Sequence, residues 1–249
     1  MTRWFEDDTF WESIDWFLFS EMRKPETTSI EGDQIVKLLQ LASSSSILDL
    51  CCGPGRHCLE FSRRGFRLTG VDRTARYLEL ARTRSTELGL DIEFVQADMR
   101  AFKRAEHFDF AFDLFSSFGY FEDPNDDLQV LRNLQESLKP GGKLLMEMLG
   151  KEILARNFRD KLWHHRPGTE EYLLQEVSVR SGWDWIENRW TLIRGEDHRV
   201  FTFGVRVYSG AELASALRQA GFSRVDLFGS LEATPYDHTA QRLVAVAVR

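Results

Sequence analysis

A chain of 249 residues has room for one sizeable α/β domain carrying an insertion, and its 43% hydrophobic and 29% charged content excludes a disordered polymer. Thirty-nine acidic against thirty-two basic side chains leave a net charge of −7, which opposes unspecific attraction to a phosphate backbone, so nucleic acid is not expected as a partner. No apolar run approaches the roughly 20 residues of a membrane span, and the first residues lack a signal-peptide core, so a cytoplasmic protein without a membrane partner is expected.

In chain order, residues 1–45 come first as an N-terminal helical lid segment: Phe10, Trp11, Ile14, Trp16, Phe17 and Phe19 precede a helix expected over residues 30–42. So many aromatic rings near a chain end must pack against something, and Trp16 and Phe19 are the side chains expected to form the lid. From Ser46, short β-type runs at residues 47–51, 66–72, 92–97, 108–114 and 143–148 alternate with helical stretches, which predicts a parallel sheet covered on both faces. Residues 150–207 break that rhythm. Runs at 172–179, 183–193 and 200–207 alternate apolar and polar positions, with turn signals at Ser181-Gly182 and Arg194-Gly195, and predict an antiparallel insertion. Four tryptophans, Trp163, Trp183, Trp185 and Trp190, are expected to build that insertion's own small core. A helix over 210–220 and strands over 223–228 and 242–248 return the chain to the main sheet, so residues 46–149 and 208–249 form one Rossmann-like domain.

The informative segment is Ile47-Leu-Asp-Leu-Cys-Cys-Gly-Pro-Gly-Arg-His57, a strand that runs through an acid into a tight glycine turn and opens a helix. Gly53 and Gly55 let the backbone approach a ligand, and the helix N-terminus beyond them offers unpaired N–H groups. Every doubly wound nucleotide binder shares such a turn. Asp72 sharpens the assignment, because it ends the second strand 17 residues past Gly55, the spacing at which a carboxylate reaches ribose hydroxyls. Asp98 closes the third strand, so three consecutive strands carry an acid at the ligand edge.

These residues resemble the class I S-adenosylmethionine-dependent methyltransferases, over residues 46–148 and more loosely in the final strands. Asp49, Gly53 and Gly55 match the family's opening pattern, with Cys51 where many members have glycine, and Leu138-Lys-Pro-Gly-Gly-Lys143 matches the turn entering the fifth strand. The resemblance implies a doubly wound seven-stranded α/β sheet, its last strand antiparallel, binding S-adenosylmethionine across the carboxyl ends of the first four strands. It further implies that Asp49, Cys51, Gly53 and Gly55 hold the methionine part, that Arg56 reaches its carboxylate, that Asp72 with Arg73 takes the ribose, and that Asp98 and Met99 flank adenine with Leu114 nearby.

At the methyl-transfer edge the chain reads Asp113-Leu-Phe-Ser-Ser-Phe-Gly-Tyr-Phe121, without the acid-or-Asn-Pro-Pro pattern of enzymes acting on DNA bases. A small-molecule methyl acceptor is therefore expected. No metal is expected, because only Asp113 stands at this edge, and the three cysteines (Cys51, Cys52 and Cys58) have no second Cys/His pair to complete a site. Methyl transfer needs alignment in a dry pocket more than an active base. Candidates for a base or orienting hydroxyl are Tyr120, His164, His165, Tyr172 and Tyr236. Two competing readings stay open: a non-catalytic binder of the same cofactor, and a nicotinamide-dependent oxidoreductase, against which stands Cys58 where the third glycine of that turn belongs.

Overall fold

The computed structural model describes residues 3–21, 25–180 and 182–249; Ser181 of the expected turn lies outside them. A seven-stranded sheet has the order β10-β11-β5-β4-β1-β2-β3, built from β1 (Ser46–Leu50), β2 (Arg67–Asp72), β3 (Glu93–Gln96), β4 (Phe108–Asp113), β5 (Leu138–Met148), β10 (Arg224–Phe228) and β11 (Leu243–Val248). β1 to β5 run parallel, while β11 is antiparallel to both β5 and β10. This is the doubly wound, Rossmann-like sheet with an antiparallel last strand that the sequence predicts. β1 is buried along its whole length, as a central parallel strand must be, and so reads as a continuous apolar run interrupted only by Asp49.

Two apolar clusters cover the sheet. On one face α5 (Pro124–Ser137) and α7 (Gly210–Gln219) bring Val130, Leu134, Leu213 and Leu217 onto Leu48, Leu144 and Met146. On the other, α2 (Pro25–Leu39), α3 (Arg56–Arg63) and α4 (Ala75–Glu87) bring Ile35, Leu39, Phe61 and Leu78 onto Ile47, Phe112 and Leu145. The capping chemistry is local. Pro124 opens α5 behind Asp123, whose carboxylate accepts the Asn125 N–H, and Ser209 and Glu212 exchange hydrogen bonds at the start of α7. Lys139-Pro-Gly-Gly142 departs from expectation by lying inside β5 as an irregularity, for the ladder pairs Phe108 with Leu138 and next Phe110 with Lys143. The second helix also runs Pro25–Leu39 rather than over 30–42.

The insertion is a separate antiparallel sheet of four strands, one more than the alternation reveals: β6 (Lys161–His165), β7 (Glu171–Val179), β8 (Trp185–Arg194) and β9 (Asp197–Arg206), preceded by α6 (Lys151–Arg156). β6 escapes detection because Leu162-Trp-His-His offers no clean alternation and the strand lies at the sheet edge. The tryptophans do not form a private core. Trp163 is 68% exposed and Trp183 only half-buried, Trp185 is buried over Gly204, and Trp190, on the cavity-facing side with Leu173, packs against Trp16 and Phe17. The N-terminal segment, with α1 (Asp8–Ser13), supplies the missing cover: Phe10 meets Trp190, Phe201 and Phe203 at ring-centroid distances of 6.2, 5.3 and 5.0 Å. Among the described residues no helix is long and apolar enough to cross a membrane.

The small sheet is pinned to the large one where Arg206 N–H donates to the Gly119 carbonyl at 2.6 Å. Gly119 has φ +92°, and a Cβ there would lie 2.4 Å from the Arg206 carbonyl oxygen. Gly119→Ala is therefore expected to lower stability by about 2–4 kcal/mol, read as a shift of the urea midpoint, since it adds a left-handed strain to a backbone collision.

Candidate functional site

A cavity of about 410 Å³ opens at the carboxyl edge of β1, β2 and β3, between the large sheet, the N-terminal segment and the small sheet. Its floor begins where β1 ends. Cys51 and Gly53 turn the chain with φ of +57° and +56°, and Gly55 caps α3 with φ +79°. Cys51 thus adopts the conformation that explains why glycine is common there; for a side chain it costs about 1–2 kcal/mol. The turn is locked to the second strand. Cys52 N–H donates to the Val71 carbonyl at 3.0 Å, and Gly53 N–H donates to Asp72 Oδ2 at 2.8 Å while Thr74 N–H donates to Asp72 Oδ1 at 2.8 Å. Burial pushes the Asp72 carboxyl above its ordinary range, with the two backbone donors working against that rise.

Asp98 differs. Burial would raise it too, but Arg100 grips its carboxylate at 2.6 Å and its own N–H adds a bond at 2.8 Å, holding the group below its usual range. Met99 Sδ lies 3.9 Å from Cys51 Sγ, so the first and third strand ends meet across the floor. Cys51, Gly53, Asp72, Arg73, Asp98 and Met99 all line this cavity. Arg73 is engaged by Asp8 at 2.9 Å and by the Glu6 carbonyl.

The remaining expected residues lie elsewhere. Asp49 is buried beneath the turn and accepts a bond from Cys58 Sγ at 3.2 Å. Gly55 packs against Ala81, its would-be Cβ 2.9 Å from that methyl carbon. Arg56 turns away to Glu31 at 2.5 Å and Thr28 at 3.2 Å, and with Leu114 it lines a second cavity of about 250 Å³. Burial works against the Glu31 carboxylate, but His57 and Arg56 outweigh it and bring its pKa to about 2. Phe115 and Arg242 border both cavities, and each guanidinium, Arg56 and Arg242, stands over the Phe115 ring at 5.8 and 5.2 Å.

Of the five candidate catalytic side chains, only Tyr120 faces the main cavity, its ring 4.9 Å from Trp4. His164 lies behind the wall, its ring 4.5 Å from Phe17 and its Nε2 3.4 Å from Gln175 Oε1. His165 bonds the Thr169 carbonyl and stacks on the exposed Tyr172, on the outward side of the small sheet. The Tyr236 hydroxyl donates to Glu152 at 2.7 Å. The lid expectation divides: Phe19 lines the cavity, whereas Trp16 is buried behind it. Sequence reasoning missed Trp4, Gln175, Asn188, Phe203 and Arg242, which reach the cavity only through tertiary packing. Among the described residues no group of three His, Cys, Asp or Glu is placed to hold a metal ion.

One buried acid lies under this edge. Asp113 is 1% exposed and neither carboxylate oxygen has a hydrogen-bond partner. Burial, then the nearby charges of Asp49, Asp127 and Glu147, pushes its pKa up to about 8. In the unfolded chain it would titrate near ~4, so as pH rises the unfolded state sheds this proton first and is favoured. Stability contributed here is complete below about pH 4 and is lost progressively up to about pH 8. Asp113→Asn, isosteric and untitratable, is expected to flatten that decline and to be more stable than the parent at pH 8 by on the order of 2 kcal/mol, measured by urea melts across pH.

Residues 47–142 match the family model described as a methyltransferase domain. The Bacillus subtilis protein YqeM is 26% identical over 76% of this chain and 79% of its own length, and a glycine/sarcosine N-methyltransferase of Halorhodospira halochloris is 23% identical over 87% and 80%. Among solved structures, an S-adenosylmethionine-dependent methyltransferase from Clostridium acetobutylicum superposes with a TM-score of 0.78 at 16% identity, covering 97% of this chain and 98% of its own. The sugar N-methyltransferase KedS8 of a Streptoalloteichus species follows with 0.68 at 18%, covering 94% and 92%. The glycine turn, the strand-end acids and the sheet order agree with these likenesses: residues 47–142 carry the match to a methyltransferase domain, and the chain has the fold of the class I S-adenosylmethionine-dependent methyltransferases.

Proposed function

We propose that the chain transfers a methyl group to a nitrogen or oxygen of a small molecule held between the large sheet and the small one. One observation carries this reading: the cofactor-side residues Gly53, Asp72, Asp98 and Met99 share a single cavity with Trp190, Asn188 and Phe203 of the small sheet. The cofactor floor suits an adenosine. Asp72 stands at the cavity edge as the carboxylate for ribose hydroxyls, and Leu50, Val71, Ala97 and Met99 make an apolar slot beside Asp98 for a purine.

Bound there, S-adenosylmethionine supplies an electrophilic methyl on a sulfonium. The chain's part is to align and to exclude water. Phe115 and Ser116, both left-handed with φ of +66° and +60°, form the turn after β4; their N–H groups donate to the carboxylate and the carbonyl of Glu147, each at 2.9 Å. Such strain, stored where a ligand binds, keeps the turn in one shape. Tyr120 stands on the same loop facing the cavity and is the side chain we assign to orient the acceptor, with the N-terminal segment and residues 150–207 as cover. The names of the relatives favour small acceptors: one is called a sugar N-methyltransferase and another a glycine/sarcosine N-methyltransferase. A metabolite acceptor also accords with a cytoplasmic location and needs neither nucleic acid nor a membrane.

Calorimetric titration is expected to show S-adenosylmethionine and S-adenosylhomocysteine binding that Asp72→Ala weakens at least about tenfold, the loss of roughly 1.4 kcal/mol of charge-assisted hydrogen bonding. With methyl-labelled cofactor and a cell extract, label should enter the small-molecule fraction and spare protein and nucleic acid; label confined to macromolecules overturns the acceptor class.

A further inference from the structure

The wall that the small sheet presents to the cavity is apolar except for two amides. Gln175 on β7 pairs across the ladder with Trp190 on β8, and Asn188 lies two residues before Trp190, so the period of two puts both amides on one face. They are 6% and 8% exposed, and both line the cavity. Gln175 Oε1 faces His164 at 3.4 Å, which leaves its NH2 group toward the cavity, and the Asn188 amide, which also lines the cavity, is not among the fully enclosed, unpartnered polar atoms of the described residues. Amides held in an otherwise apolar cavity wall, with hydrogen-bonding capacity directed into the space, mark the place where a ligand's polar group is recognised. Around them stand the rings of Phe10, Trp11 and Phe203.

Charge at this end is already cancelled. The cavity's arginines are taken: Arg73 by Asp8, and Arg242 by Glu147. Its carboxylates, Asp72 and Asp98, belong to the cofactor floor. A charged group on the acceptor would lose its water here and find no free counter-charge. Aromatic rings, by contrast, offer flat apolar faces to another ring.

We propose, resting on the acceptor site assigned above, that Asn188 and Gln175 are its specificity-determining residues. They select a small, uncharged, ring-bearing acceptor that carries a neutral hydrogen-bonding group, such as an amide or ketone, at the end remote from the methylated atom.

The test uses protein saturated with S-adenosylhomocysteine and four para-substituted phenols read by tryptophan fluorescence: para-hydroxyacetanilide, para-butylphenol, tyramine and para-hydroxyphenylpropionate. The acetanilide is expected to bind at least about tenfold more tightly than the butyl compound and than either charged one, the worth of one satisfied buried hydrogen bond. Asn188→Leu should bring the acetanilide down to the butylphenol level while leaving S-adenosylhomocysteine affinity unchanged, and Asn188→Thr should do the same if leucine overpacks the wall. Equal or tighter binding of the butyl or a charged compound, a preference that survives both variants, or no binding by any of the four overturns the proposal and leaves the cofactor site standing. Failure to bind S-adenosylhomocysteine at all overturns both.

Discussion

The small sheet has one apolar face and nothing of its own to cover it, and much of the molecule's architecture answers that constraint. A lone antiparallel sheet with an exposed hydrophobic side is not stable in water. Here the cover comes from the far end of the chain: Phe10 lies among Trp190, Phe201 and Phe203, and Phe17 against Trp190 and His164. Trp4 then bridges Phe203 of the small sheet and Tyr120 of the large domain's loop. Because the cover does not fill the whole face, a space remains between the two sheets, and that space is the cavity. The covering layer and the candidate acceptor site are therefore one feature, and a change that loosens the N-terminal rings would open the site as well as expose the sheet.

The other fixed element is the turn between β1 and α3, held by Asp72. One carboxylate takes the Gly53 N–H with one oxygen and the Thr74 N–H with the other, so the ends of two neighbouring strands are tied at the same point. Unfavourable backbone conformations collect along this edge, at Cys51, Phe115 and Ser116, where the surrounding hydrogen bonds over-determine them. Beneath it the Asp113 carboxyl is buried, and that burial pushes its pKa up to about 8. The edge is tied by hydrogen bonds between neighbouring strand ends, as suits a transfer reaction whose main demand is alignment.

Local patterns were legible wherever a single segment carries its own signal. The alternation of strands and helices marks the parallel sheet, the glycines and Asp72 mark the floor of the cavity, and six of the ten residues expected at the cofactor do line that one cavity. Arg56, expected at the cofactor carboxylate, pairs instead with Glu31, which lies 25 residues earlier in a helix whose docking no local pattern reports. His164, His165 and Tyr172 read as plausible acid–base groups by type alone, yet strand parity and edge position turn two of them outward and set the third behind Phe17. Trp163 and Trp183 looked like core by residue type, and the register of β6 and the turn before β8 left them wholly or partly outside.

The sequence by itself determined the sheet, its glycine turn and the acids at the strand ends, since these depend on backbone conformation and periodicity over a few neighbouring residues. Only the tertiary structure decided what lines the acceptor side. Trp4, Tyr120 and the group Gln175, Asn188 and Phe203 come from three separate segments of the chain. Their meeting is set by how the small sheet buries its apolar face, a packing choice made among distant surfaces.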